Sequence, residues 1–182
     1  MKTLLREGIQ IGQFDPGVRD SIADVKGVRV GHADIDVEDA QIGLSVVEPY
    51  LLSEEKRRLY TGRWALDGGG STSGLGVAED FGTLSAPIAV VPGPAFGRVY
   101  EALIHQGIRR DRGLSTDSGW PPFVMGMDDG VWNDARRVYE SVGQRDLDRA
   151  LSNASEAFLE GSVGIGRSLR AFGLRGGVGS AS

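Results

Sequence analysis

The last twenty-two positions of the chain, residues 161–182, read GSVGIGRSLRAFGLRGGVGSAS; seven are glycine and four are serine. A backbone without Cβ can approach another group closely or take positive φ, so such a stretch can line a site. A flexible linker shares the small-residue content but carries no apolar load. Here Val163, Ile165, Leu169, Phe172, Leu174 and Val178 thread through the glycines. A buried strand and a tight turn are therefore expected, followed by a small-residue run. Glycine is enriched throughout, at 28 of 182 residues against an average of about 7 %. The glycines are not periodic, which excludes a collagen-like chain.

The length suits one domain with a substantial core. Twenty basic against twenty-five acidic side chains give a net charge of −5, which does not favour a nucleic-acid or anionic-membrane partner. The basic runs Lys56-Arg57-Arg58 and Arg109-Arg110 are short and adjoin acids, as solvated helix faces do. There is no cysteine and there are only two histidines, His32 and His105. Disulfides, thiol catalysis and most zinc patterns are thereby removed, and no metal or cofactor is expected. Without a secretory signal or a membrane-length apolar run, a cytoplasmic location is expected.

Taken in order, the alternation of Val28 and Val30 around Arg29 predicts a half-buried strand that closes at Gly31 and His32. Strands are also predicted over 42–47, 87–91 and 122–125, with Pro92-Gly93-Pro94 ending the third. Helices are predicted over 51–60, capped by Ser53, over 99–104 with a stop at Gly107, and over 147–159 with Asp146 as cap. Residues 109–120 read as a surface loop. The interleaving gives a layered α/β domain of roughly six strands and three or four helices, without linker or internal repeat.

Asp67-Gly68-Gly69-Gly70-Ser71-Thr72-Ser73-Gly74 follows an apolar run and could present N–H groups to an anion or a carbonyl oxygen; it equally suits a structural strand-to-helix turn. It lacks the Gly-Lys-Ser/Thr ending of a phosphate-binding loop. Asp128, Asp129 and Asp134 could hold a hard cation or serve as paired acids. Their commoner use is to cap a following turn while Asn133 makes local backbone bonds. The histidines read as ordinary hydrogen-bonded or surface residues. Ser180 and Ser182 lack the base that a serine nucleophile needs.

Several motifs together resemble the DmpA-like family of self-processing aminopeptidases, which includes the β-peptidyl aminopeptidases. Residues 21–32 (SIADVKGVRVGH) resemble its "ITDV-GV-VGH" opening, and residues 67–74 occupy the place of "NGNGEMTG". Asp129-Gly130 with Asn133-Asp134 keep the end of "ETWDGYLND". Glu160-Gly161 with Val163-Gly164, and Arg175-Gly176-Gly177-Val178-Gly179-Ser180, follow "EGNVG" and "KGGIGTSS". The order and spacing hold over nearly the whole chain.

The resemblance implies a four-layer αββα sandwich of the DmpA/ornithine-acetyltransferase-like type. It implies that residues 1–182 are the single-domain α portion of a precursor that cuts itself into α and β chains, with the processing site near the end of this sequence. The new N-terminal serine or threonine of the β chain is then the nucleophile, and its own amino group is the base. The expected activity is that of a serine aminopeptidase or amidase acting on small peptides, amides or esters, in an oligomer of αβ protomers. A self-processing acyltransferase and a non-catalytic binding homologue are the alternatives. By motif position, Ser162 is the expected oxyanion donor and Asn133 a polar positioning residue. Asp67, Gly68, Gly69, Gly70, Ser71, Gly126, Asp128 and Val131 are expected to line the substrate site. Ser162 and Asp67 stand where the family has asparagine, Gly126 where it has glutamate, and Val131 where it has tyrosine. Residues 91–97 (VPGPAFG) replace "TNTHSVG". Either Asp128 or Asp67 is then expected to meet the substrate amine, or the substrate differs.

Overall fold

The computed structural model describes residues 13–51, 58–65, 70–114, 121–128 and 132–182. Two nine-residue strands, β1 (Arg29–Val37) and β2 (Ala40–Glu48), form an antiparallel hairpin around Glu38 and Asp39. A short ribbon of β3 (Leu59–Tyr60) and β4 (Thr83–Leu84) brackets helix α1 (Leu75–Phe81). Strand β5 (Ile88–Pro92), helix α2 (Phe96–Arg110) and strand β6 (Phe123–Met127) make a crossover unit whose strands pair in parallel. Helices α3 (Ala135–Ser141) and α4 (Gln144–Ser152) follow, and the exposed hairpin of β7 (Arg170–Ala171) and β8 (Leu174–Arg175) comes last. The main sheet has the order β1-β2-β5-β6.

Strand periodicity sorts the sheet residues onto two faces. Ala33, Ile35, Ile42, Leu44, Val46, Ala89, Val91 and Val124 point one way and are buried. They meet the apolar stripes of α2 (Val99, Ala102, Leu103) and α4 (Leu147, Ala150), with Val138 and Val142 closing the core. The opposite face carries His32, Asp34, Gly43 and Ser45. Over these lies a single turn of 3₁₀ helix, Gly164–Arg167. Farther along the same face, Val47, Ile88 and Val90 are half-buried and Met125 is 40 % exposed.

Several expectations change. His32 stands in mid-strand rather than at a strand end, because β1 continues its alternation through Ala33, Ile35 and Val37. Helix α2 passes through Gly107 to Arg110: Gly107 is buried inside the helix and does not cap it. Helix α4 ends at Ser152 instead of residue 159, since Ser155 turns out to exchange two backbone hydrogen bonds with Val30 at the edge of β1. Asp146 sits inside that helix and accepts the N–H of Gly143 at 3.1 Å. Leu59 and Tyr60 are strand; the rest of the helix expected over 51–60, including its Ser53 cap, falls largely on residues 52–57, outside the described residues. The 161–182 stretch holds a 3₁₀ turn and a hairpin in place of a buried strand, and Phe172 and Leu174 are exposed.

Close approach explains two of the glycines. A Cβ on Gly31 would collide with the carbonyl oxygen of Ala150 in α4, and one on Gly43 with that of Gly164. Gly31→Ala should therefore push α4 off the sheet and cost about 1–3 kcal/mol, the usual scale of overpacking, read as a lower urea midpoint. An unchanged midpoint would show that α4 does not rest on β1 in this way.

Candidate functional site

The parallel pair β5–β6 directs its carboxyl ends to one rim of the sheet, where open α/β sheets commonly bind ligands. Beyond β6 the chain adds a further extended piece. The N–H of Gly126 donates to the Ser71 carbonyl at 2.7 Å, and that of Ser73 to the Val124 carbonyl at 2.9 Å. The Ser73 hydroxyl locks this edge, donating to Pro122 O at 2.8 Å and accepting from Val124 N at 3.0 Å. Gly70 lies so close to the Gly126 carbonyl that a Cβ there would overlap it, and the Phe96 ring lies near Gly126 as well. Gly70, Ser71 and Gly126 are thus brought together, with exposed Asp128 just past β6. The 91–97 segment supplies the end of β5 and the start of α2 at the same rim. Asp67, Gly68, Gly69 and Val131 lie outside the described residues.

Asn133 is buried at this rim, and its amide reaches across the chain to β2. Oδ1 accepts from the N–H of Gln41 at 2.9 Å, and Nδ2 donates to the carbonyl of Gln41 at 3.0 Å. Strand β5 pairs with β2 only along 45–47. Past that point the side chain of Asn133 does for Gln41 what a neighbouring strand would do. Asp134 caps α3, accepting from Arg137 N at 2.9 Å, as one reading of the acidic cluster proposed.

Ser162 belongs to a second group, on the sheet face opposite the helices, and is exposed. Its neighbour Gly161 exchanges backbone hydrogen bonds of 2.8 and 2.9 Å with Val178. The turn that follows is bonded to the sheet by polar side chains that the sequence reading passed over. Gly164 N–H donates to Asp34 Oδ1 at 2.6 Å, Ile165 N–H to Ser45 Oγ at 3.1 Å, and Ser168 Oγ accepts from Gly43 N at 3.2 Å. His32 sits between Ser45 Oγ, 2.8 Å from Nδ1, and the Leu159 carbonyl, 2.9 Å from Nε2. Burial lowers its pKa against smaller opposing effects of the Leu159 bond and the Asp34 charge. The alternation of His32, Asp34 and Asp36 with Ala33, Ile35 and Val37 was the signal that a polar sheet face lay here.

The Arg170 guanidinium, stacked 3.0 Å above the centre of the Trp132 ring, links the two groups. That contact joins the C-terminal hairpin to the loop carrying Asn133. Ser180 and Ser182 lie elsewhere, on the 3₁₀ turn Ile22–Asp24. Ser180 Oγ accepts from Ile22 N at 2.6 Å, and Ser182 Oγ accepts from Ser21 N at 3.2 Å while donating to Asp24 Oδ2 at 2.7 Å. The Ser182 bond is the main reason the Asp24 carboxyl is held below its ordinary range.

Solved structures share this arrangement. The PH0078 protein of Pyrococcus horikoshii OT3 matches with a TM-score of 0.83 over 94 % of this chain and 51 % of its own, at 28 % identity. A Burkholderia sp. β-aminopeptidase gives 0.75 over 88 % and 46 %, at 30 % identity. The L-aminopeptidase D-Ala-esterase/amidase of Ochrobactrum anthropi, a variant of the Ntn hydrolase fold, gives 0.77 over 91 % and 48 %; at 23 % identity this is a likeness of fold. The chain has an αββα-like mixed helix and sheet fold, similar to that variant of the Ntn hydrolase fold. Two β-peptidyl aminopeptidases BapA, of Sphingosinicella microcystinivorans and Sphingosinicella xenopeptidilytica, are 27 % and 26 % identical over 92 % of this chain, which spans 43 % of each. The sequence profile of peptidase family S58 matches residues 20–182, and the chain belongs to that family.

Asn133→Ala would strand the Gln41 amide and carbonyl at the rim. A loss of about 1–3 kcal/mol is expected, the scale of unsatisfied buried polar groups, measured by urea unfolding. An unaltered midpoint would mean that Gln41 finds partners without Asn133.

Proposed function

We propose that this chain is the α part of a self-processing serine aminopeptidase or amidase that removes N-terminal residues from small peptides, amides or esters. The observation that carries the reading is the family match over residues 20–182 by a chain that spans under half of its β-peptidyl aminopeptidase relatives. The sheet supports it. Val47, Ile88, Val90 and Met125 form an apolar strip away from the helices, where the remaining β part would supply the second sheet of an αββα sandwich.

In this reading the nucleophile is the N-terminal serine or threonine of the β part. Its α-amino group takes the hydroxyl proton as Oγ bonds to the substrate carbonyl carbon, then gives that proton to the departing amine as the C–N bond breaks. Base and nucleophile share one residue, so little freedom is lost in bringing them together. Water then repeats the attack on the acyl-enzyme and frees the acid. Each tetrahedral intermediate needs donors aimed at its oxyanion, a role assigned to the Ser162 hydroxyl. The Gly70, Ser71 and Gly126 backbone lines the acyl side, Asp128 or Asp67 meets the substrate amine, and Asn133 keeps the rim in place.

The full-length gene product, given short α- and β-linked dipeptides and amino-acid amides, should release the N-terminal residue as free acid. Transfer of that residue to an added amine in place of hydrolysis would contradict the reading, as would no turnover of any of these substrates. Ser162→Ala should slow hydrolysis by about 10²-fold or more, with substrate KM little changed. An unchanged kcat would remove Ser162 from the oxyanion role.

A further inference from the structure

Residues 159, 162 and 165 are evenly spaced, and both outer ones are fastened through the same imidazole. The Leu159 carbonyl can only accept, so the proton of a neutral His32 ring resides on Nε2 and Nδ1 is left as an acceptor. The Ser45 hydroxyl must then donate to Nδ1, which frees its oxygen to accept the N–H of Ile165. The result is a continuous chain of bonds from Ile165 through Ser45 and His32 to Leu159, each polarising the next. Ser45 is 4 % exposed, so this hydroxyl has few ways to reorient. Asp34 fixes the intervening Gly164, and the ring of Phe158 lies edge-on to His32.

We propose that His32 is a positioning residue for the Ser162 turn: its neutral ring holds residues 159–165 against the sheet, and protonation loosens that hold while leaving the fold intact. The proposal rests on the reading of Ser162 as a group of the active site. A proton on Nδ1 turns that atom into a donor facing a donor. The Ser45 hydroxyl must then turn its proton away from Nδ1 into buried surroundings, and the polarised chain that strengthens the Ile165 bond is broken. Among the described residues, the charge that acts on the ring is that of Asp34 on its own strand, which favours the imidazolium. Arg167 from the turn pairs with Asp34 at 3.5 Å and with Asp36 at 3.1 Å. The phenyl ring and carbonyl of residues 158–159 add no charge. Burial prevails, and the folded ring gives up its proton more readily than an unfolded one. With the folded pKa depressed, the unfolded chain binds more protons in the window just below about 6.5. The contribution to stability is complete above that window and is lost as pH falls through the folded pKa.

The test uses the full-length gene product. The His32 signal is identified as the imidazole resonance that disappears from the NMR spectrum in His32→Gln. Amide exchange at Gly164 and Ile165, corrected for the intrinsic pH dependence, should rise about tenfold as His32 titrates, as the loss of one net hydrogen bond would give. Core amides of β2 should stay protected. His32→Ala should exchange fast at every pH and lose about 10²-fold in kcat/KM, the scale of a misplaced catalytic group. The α-amino base gives the rate an acid limb of its own. His32 adds a second ionisation, so the limb should steepen from one to two tenfold steps per pH unit, and His32→Gln should return it to one. Exchange indifferent to the state of His32 overturns the proposal, as does an identical acid limb in His32→Gln. Exchange that follows His32 in a protein without hydrolase activity keeps the clamp and overturns the reading of the site.

Discussion

The structure depends on two backbones being allowed to touch. Gly164 lies on Gly43 in the middle of the sheet, and no side chain larger than hydrogen fits at the contact. Gly164 also has φ of +51°, a region that L residues avoid. With both conditions met, the 161–168 segment lies flat enough for Asp34, Ser45 and His32 to reach its amides and carbonyls. The polar side chains could not bridge a wider gap. The helix-facing side of the same sheet is ordinary by comparison: aliphatic side chains from β1, β2, β5 and β6 pack on α2 and α4, and burial of apolar surface holds them.

The division of labour between the two faces positions the candidate site. One face anchors the sheet to its helices, so the carboxyl ends of β5 and β6 present a fixed rim. The other carries the Ser162 turn at one end and a half-exposed apolar strip at the other. Asn133 closes the rim by satisfying Gln41 beyond the reach of β5, and the stacking of Arg170 on Trp132 carries that order across to the C-terminal hairpin. Ser162 and the Gly70–Gly126 contact belong to different layers of the chain. A reaction using both would take place where the second half of an αββα sandwich meets this one.

Much of the architecture was legible because short strands and an amphipathic helix announce themselves by period. The strands over 42–47, 87–91 and 122–125 appear within a residue or two of expectation, and the stripe of Leu147 and Ala150 does face the core. What failed did so for physical reasons. The helix expected to reach residue 159 stops early because Ser155 can pair with Val30, a contact 125 positions away that no local pattern carries. Helix α1 begins at a Gly74 with φ of +81° and has no side-chain cap, so it lacked a start signal. The motif order pointed correctly to the family. It did not show that Asn133 is bonded to Gln41 or that His32 fastens the Ser162 turn, because both facts rest on pairings between distant strands.

The central claim is that this chain works as one part of a self-cut protein. Intact-mass analysis with N-terminal sequencing of the purified full-length gene product tests it most directly. Two fragments that remain associated, the smaller beginning with serine or threonine, are the predicted result. A single uncut chain that still hydrolyses small peptides would contradict the account, because its nucleophile would then have no free amino group to act as base.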